Sequence, residues 1–148
     1  MTAEVHSTIQ LNLAGTGVTG SNTTGVFAIA FGDVDALGLS TLATGVTKIS
    51  GATGTLYKAA YTLSPVFTGF GSMTADVTVE AGSGDNQGLA REGATLSGTG
   101  GTAPTTAAGI LSNVANESSN GREVGIFISK TEADGSKNAT LIYTVSVN

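Results

Sequence analysis

Two stretches of the chain alternate apolar and polar residues with little interruption, one at each end. In residues 2–14, Val5, Ser7, Ile9, Leu11 and Leu13 point one way from an extended backbone, and Glu4, His6, Thr8, Gln10 and Asn12 point the other. Residues 139–147 close the chain in the same style, with Ala139, Leu141, Tyr143, Val145 and Val147 on one side. Period two predicts a half-buried strand at each terminus. A dozen extended residues at about 3.3 Å each reach roughly 40 Å, the height of a small sandwich.

The interior carries the same signal more briefly. Met73, Ala75, Val77, Val79 and Ala81 alternate with Thr74, Asp76, Thr78 and Glu80, as in a strand with one solvated face. Residues 56–63 place Tyr57, Ala59, Tyr61 and Leu63 on one side, 123–130 read as a strand through Val124, Ile126 and Ile128, and 46–49 as a modest one. The apolar run 26–31 predicts a central strand covered on both faces. Pro65 lacks a ladder donor, so 65–71 reads as an edge or bulged segment. The long polar connection 82–106 is expected to hold one short strand near 94–96, and Ile110, Leu111 and Val114 sit at helical spacing, predicting a helical turn or crossover over 107–115. Residues 15–25, rich in Gly and Thr, have no period and read as a hinge or linker.

Composition sharpens this picture. Charged residues are 11%, the hydrophobic fraction is 40% and Gly numbers 22, with Thr and Val abundant. That mixture favours pleated, half-buried surfaces joined by turns, and 148 residues suit one core. The expectation is an all-β fold, an antiparallel β-sandwich over 25–148 preceded by a strand and flexible linker over 1–24. The net charge of −5 and six scattered basic residues offer no patch for phosphates, so nucleic acid is not an expected partner. No run of about 20 apolar residues suggests a membrane span. The start of the chain lacks the basic and apolar regions of a signal peptide, which suits either a cytoplasmically made viral structural protein or a mature secreted chain with an added Met. The absence of Cys excludes disulfides.

Candidate chemistry is thin. His6 is the single histidine and lies on the polar side of the first strand, so no Ser-His-Asp set forms around it, and an enzyme is not expected. Asp76 and Glu80 share a strand face roughly 13 Å apart, too far for a paired-carboxylate site. Calcium is the more defensible ligand: Asp33 with Asp35, Asp85 beside Asn86, and Glu132 with Asp134 set acids in turns, where the competing reading is that they make the turns. Apart from calcium no cofactor is expected.

The leading strand is followed by flexible residues where a self-contained sandwich would place a tight turn, which suits a strand that leaves its own domain. Burying Val5, Ile9, Leu11 and Leu13 in a neighbour at about 1.5 to 3 kcal/mol each contributes on the order of 6 to 12 kcal/mol before ordering costs. A head-to-tail contact of this kind builds a fibre. With residues 4–13, the terminal strand 139–147 and Gly135, fourteenth from the end, the chain resembles the pilin subunits of chaperone–usher and spore-coat-U-type pili. It departs from them in having Val147 where such pilins often carry an aromatic, and in lacking their disulfide. The resemblance implies an immunoglobulin-like sandwich with an N-terminal donor-strand extension, copies of itself as partners, an assembly chaperone, and an extracellular, cell-surface filament. It gives Val5, Ile9, Leu11 and Leu13 the donor role, with Leu141, Tyr143 and Val145 beside the receiving groove. A phage or viral decoration or fibre protein is the alternative, and a secreted carbohydrate-binding domain, poorly served by 5% aromatics without Trp, a second one.

Overall fold

The computed structural model describes residues 3–4, 7–82 and 86–148. In chain order they form β1 (Thr8–Ala14), β2 (Val18–Ser21), β3 (Val26–Ile29), β4 (Val46–Ser50), β5 (Gly54–Thr68), β6 (Ala75–Ala81), β7 (Ala90–Gly93), β8 (Ala108–Val114), β9 (Asn120–Ser129) and β10 (Leu141–Val147), with one 3-10 turn at Gln87–Leu89. The strands pair antiparallel throughout, and the chain is all-β, in keeping with a β-sandwich. One sheet runs β1-β5-β9-β7 with β4 also joined to β5; a second runs β10-β6-β8; β2 and β3 form a hairpin of their own.

The layer between the sheets forms where the alternating faces meet. Tyr61 and Leu63 of β5 pack with Val77 of β6, flanked by Leu11 and Leu13 of β1, Ile110 and Leu111 of β8, and Tyr143 and Val145 of β10. Leu63, Val77 and Val79 have no exposed surface, and burial of each contributes about 1.5 to 3 kcal/mol. At the other end of β5, Val46, Tyr57, Ile126 and Ile128 lie beneath Phe31, Val34, Ala36 and Ala43, so the connection between β3 and β4 takes the place of a second sheet. On the opposite face Leu96 covers Leu56 and Phe127.

Several local expectations change. The 26–31 run is not a central strand: only Val26–Ile29 is extended, it pairs with β2 alone, and Val26 is 65% exposed. Its partner comes from the Gly- and Thr-rich stretch read as a linker, whose pairing no periodicity announced. Residues 108–114 are a strand, not a helical turn. Ala75 faces Val114 and Val77 faces Leu111, so β8 spends three residues where β6 spends two; this bulge creates the helix-like spacing. The short strand expected near 94–96 falls at 90–93, where Ala90–Gly93 pair with β9 from Ile126 to Glu123 and the charged Arg91 and Glu92, which hid it in the sequence, are buried. Pro65 stands within β5, but the β9 ladder ends at Leu63 opposite Asn120; beyond it the turn after β8 takes over, with the Pro65 carbonyl accepting from the Glu117 N–H at 2.8 Å, so no ladder donor is asked of Pro65 on that side.

The reversal between β1 and β2 is packed against the start of β4. Gly17 has φ +88°, and a Cβ there would stand 2.6 Å from the Thr44 carbonyl oxygen. Gly45 has φ +79°, and a Cβ there would meet the Thr16 carbonyl oxygen at 2.0 Å. Both the dihedral and the contact demand glycine. Gly45→Ala is expected to lower stability by about 1 to 3 kcal/mol, read as a lower urea midpoint with an unchanged slope.

Candidate functional site

The structure brings together most of the residues that the sequence assigns to an interface. Leu11, Leu13, Tyr143 and Val145 share one apolar layer, with β1 and β10 lying against each other across it. β1 is the outer strand of its sheet, paired to β5 over seven residues from Thr8 opposite Thr68 to Ala14 opposite Thr62. β10 is the outer strand of the other sheet, paired to β6. Ile9, opposite Phe67, is 41% exposed. Leu141 stands apart from this layer, in a cleft of about 620 Å³ that it lines with Ile29, Phe31, Val34, Ile126 and Lys137. A smaller space of about 310 Å³ continues it past Phe27 and Tyr143. Val5 lies outside the described residues, as does His6.

Behind this seam runs a polar chain that sequence reasoning missed. The Tyr143 hydroxyl lies 2.7 Å from that of Tyr61, which donates to Glu92 Oε1 at 3.0 Å. With the Tyr61 proton given to Glu92, Tyr143 must be the donor of the first bond. Arg122 grips the same carboxylate through Nε to Oε1 and Nη2 to Oε2, the latter at 2.9 Å, and its Nη1 reaches the Ile110 carbonyl at 3.4 Å. Five strands from both sheets thus meet in one network, and the Glu92 side chain is 2% exposed. Burial pushes the Tyr61 and Tyr143 hydroxyls well above the usual phenol range, and the hydrogen bonds that Arg122 donates to Glu92 hold its guanidinium protonated. A forked guanidinium–carboxylate pair fixes orientation as well as charge, so the network sets how β10 lies over the first sheet. Glu92 and Arg122 are thirty positions apart in a chain with few charges; the lone signal was a Glu and an Arg next to apolar strand residues.

The acids proposed for calcium are spread over separate loops. Asp35 accepts from the Leu37 N–H at 2.8 Å, the Leu39 N–H at 2.9 Å, and the Ser40 N–H and hydroxyl at 2.6 Å each. The Ser40 hydroxyl and these amides hold its carboxyl far below the usual range. Its backbone is pinned by the Tyr57 hydroxyl, which accepts from the Asp35 N–H and donates to its carbonyl. The carboxylate therefore organises a turn that displays Leu39, 81% exposed. Glu132 pairs with Lys137 at 2.7 Å. Asp33 and Asp134 join no group of three metal-ligating side chains among the described residues, and Asp85 lies outside them. On the outer face of the first sheet, Lys58 binds Glu123 at 2.9 Å, and Glu123 also accepts from the Leu96 N–H at 2.6 Å.

Comparison with known proteins finds no matching family model, and neither curated proteins nor solved structures give a match.

Arg122→Met is expected to cost about 3 to 5 kcal/mol, because it strands the buried Glu92 charge, while adding Glu92→Gln should recover part of the loss; chemical denaturation of the two variants measures both. For Asp35, the folded-state value lies below the unfolded one, so its contribution is complete above about pH 4 and fades as pH falls through the folded value. The Leu39 and Ser40 amide resonances should therefore hold their folded positions to pH values below 3. Asp35→Asn should displace them at every pH.

Proposed function

We propose that this protein is the structural subunit of an extracellular filament, an immunoglobulin-like sandwich that polymerises head-to-tail by giving its N-terminal strand to the next copy. The observation that carries the reading is the position of β1: an outer strand, held by one ladder to β5 and by Leu11 and Leu13 against Tyr143 and Val145. The segment with the strongest alternation in the chain is thus also one attached along a single edge.

Every contact that β1 makes within its own chain is equally available to β1 of a neighbour. Exchange preserves the seven-residue register and the apolar layer, so the two arrangements differ mainly in hinge strain and in the effective concentration of the partner strand. The hinge is the three-residue reversal 15–17, pressed against Ala60 and Thr44 by its glycines, and short hinges favour exchange. Donation from each copy to the next leaves one end open and the assembly grows.

Negative-stain microscopy of the concentrated protein should show filaments. Inserting six Gly/Ser residues between Gly15 and Gly17 relaxes the reversal and should shift the population to monomers, and Ile9→Asp should stop growth. Filaments of normal length from both variants would overturn the proposal.

A further inference from the structure

The outward edge of β10 carries none of the residues that usually discourage strand pairing. Its residues, Leu-Ile-Tyr-Thr-Val-Ser-Val, include no charge, proline or glycine. Thr74 and Asn148 exchange both main-chain bonds, at 3.0 and 2.8 Å, and the Thr140 carbonyl accepts from the Gly82 N–H at 2.8 Å. Antiparallel pairs alternate, so 140, 142, 144, 146 and 148 aim their main-chain groups at β6, whereas Leu141, Tyr143, Val145 and Val147 aim theirs at the free side. No strand is hydrogen-bonded to that side among the described residues, although β1 lies against β10 and the β2–β3 hairpin borders its start at Leu141.

Exposed edges are ordinarily blunted by charge, bulges or shortness, and other edges of this protein are. β8 is bulged, with Asn113 at φ 52°; β7 has four residues, with Thr102 bridged to Arg91; β4 has five and includes Lys48. β1 is also uncharged, and the proposed function already gives it a partner.

We propose that β10 pairs antiparallel with β10 of a second copy, about a two-fold axis at Thr144, joining the two three-stranded sheets. This register uses all seven residues and sets Leu141 opposite Val147, Ile142 opposite Ser146, Tyr143 opposite Val145, and Thr144 opposite itself. Leu141, Tyr143, Val145 and Val147 become the hydrogen-bonded positions, giving roughly eight main-chain bonds. The aromatic–β-branched and Thr–Thr pairs are favourable cross-strand combinations. Asp76 and Glu80, opposite Ser146 and Ile142 on β6, would face the second copy's acids across three strand spacings, roughly 14 Å, beyond the screening length at physiological salt. Phe27 and Ile29 of the hairpin border Leu141 without a main-chain bond to it, and there the second copy's Val147 adds to an apolar rim. β1 meets β10 through the inward side chains Tyr143 and Val145, whereas this contact uses the main-chain edge of β10, to which β1 makes no ladder.

The chain has no cysteine, so single cysteines report the register. Under mild oxidation of the full-length protein, Thr144→Cys should form a disulfide dimer, because the facing Cα atoms of such a pair lie about 4.5 Å apart, within disulfide reach. Ser146→Cys alone would place its two sulfurs' backbones roughly 13 Å apart and should remain uncrosslinked, whereas mixing it with Ile142→Cys should give the mixed dimer. Equal crosslinking of all three single variants, or none with Thr144→Cys, overturns the proposal. The same assay in the Ile9→Asp background separates this contact from filament growth: the Thr144→Cys dimer should persist there even when filaments do not form.

Discussion

The architecture depends on one fifteen-residue strand whose backbone must find partners on both edges. β5 pairs with β9 from Gly54 to Leu63, with β4 from Thr55 to Ala59, and with β1 from Thr62 to Thr68. Because a buried main-chain group without a partner is costly, neither β4 nor β1 can be dispensed with unless something equivalent replaces it. They divide one edge of β5 between them, and the reversal at 15–17 is wedged near the point where one gives way to the other. A protein arranged this way has a built-in demand for a strand at Thr62–Thr68, which β1 meets.

The second organising contact is the Tyr143–Tyr61–Glu92–Arg122 chain. Apolar packing between two sheets specifies separation better than it specifies rotation, since one aliphatic side chain substitutes well for another. A bidentate ion pair with two hydroxyls in series allows far fewer arrangements. The network is expensive to desolvate, so its contribution lies in fixing the orientation of β10 as much as in net stability.

Much of this fold was legible where side chains alternate. The stretches read as strands at 2–14, 56–63, 73–81, 123–130 and 139–147 each contain one, although β5 runs on through Pro65 to Thr68 and β9 begins at Asn120, and their side-chain assignments agree with the burial of Tyr57, Leu63, Val77 and Ile126. What escaped was written in partners instead of in periods. The β2–β3 hairpin is made of Gly, Thr and Ser, and its strand character comes from pairing. β8 carries a bulge that disguises a period of two as a period near three and a half. β7 looks like a polar loop because the partners that let its charges be buried are distant in sequence or in the backbone: Arg122 and Tyr61 for Glu92, and the Gly88 and Thr99 carbonyls for Arg91. Of the residues expected at an interface, Leu11, Leu13, Tyr143 and Val145 meet as a patch that no single segment of sequence displays.

The handling of basic side chains has a further consequence. Lys58, Lys137 and Arg122 are tied to carboxylates, and Arg91 is buried with its guanidinium over the Phe127 ring, 5.5 Å from its centre. With a net charge of −5, the water-facing shell is left dominated by acid. Copies approaching one another therefore meet a repulsive barrier, and dissolved salt, by thinning that barrier, acts as a throttle on how fast they can come close.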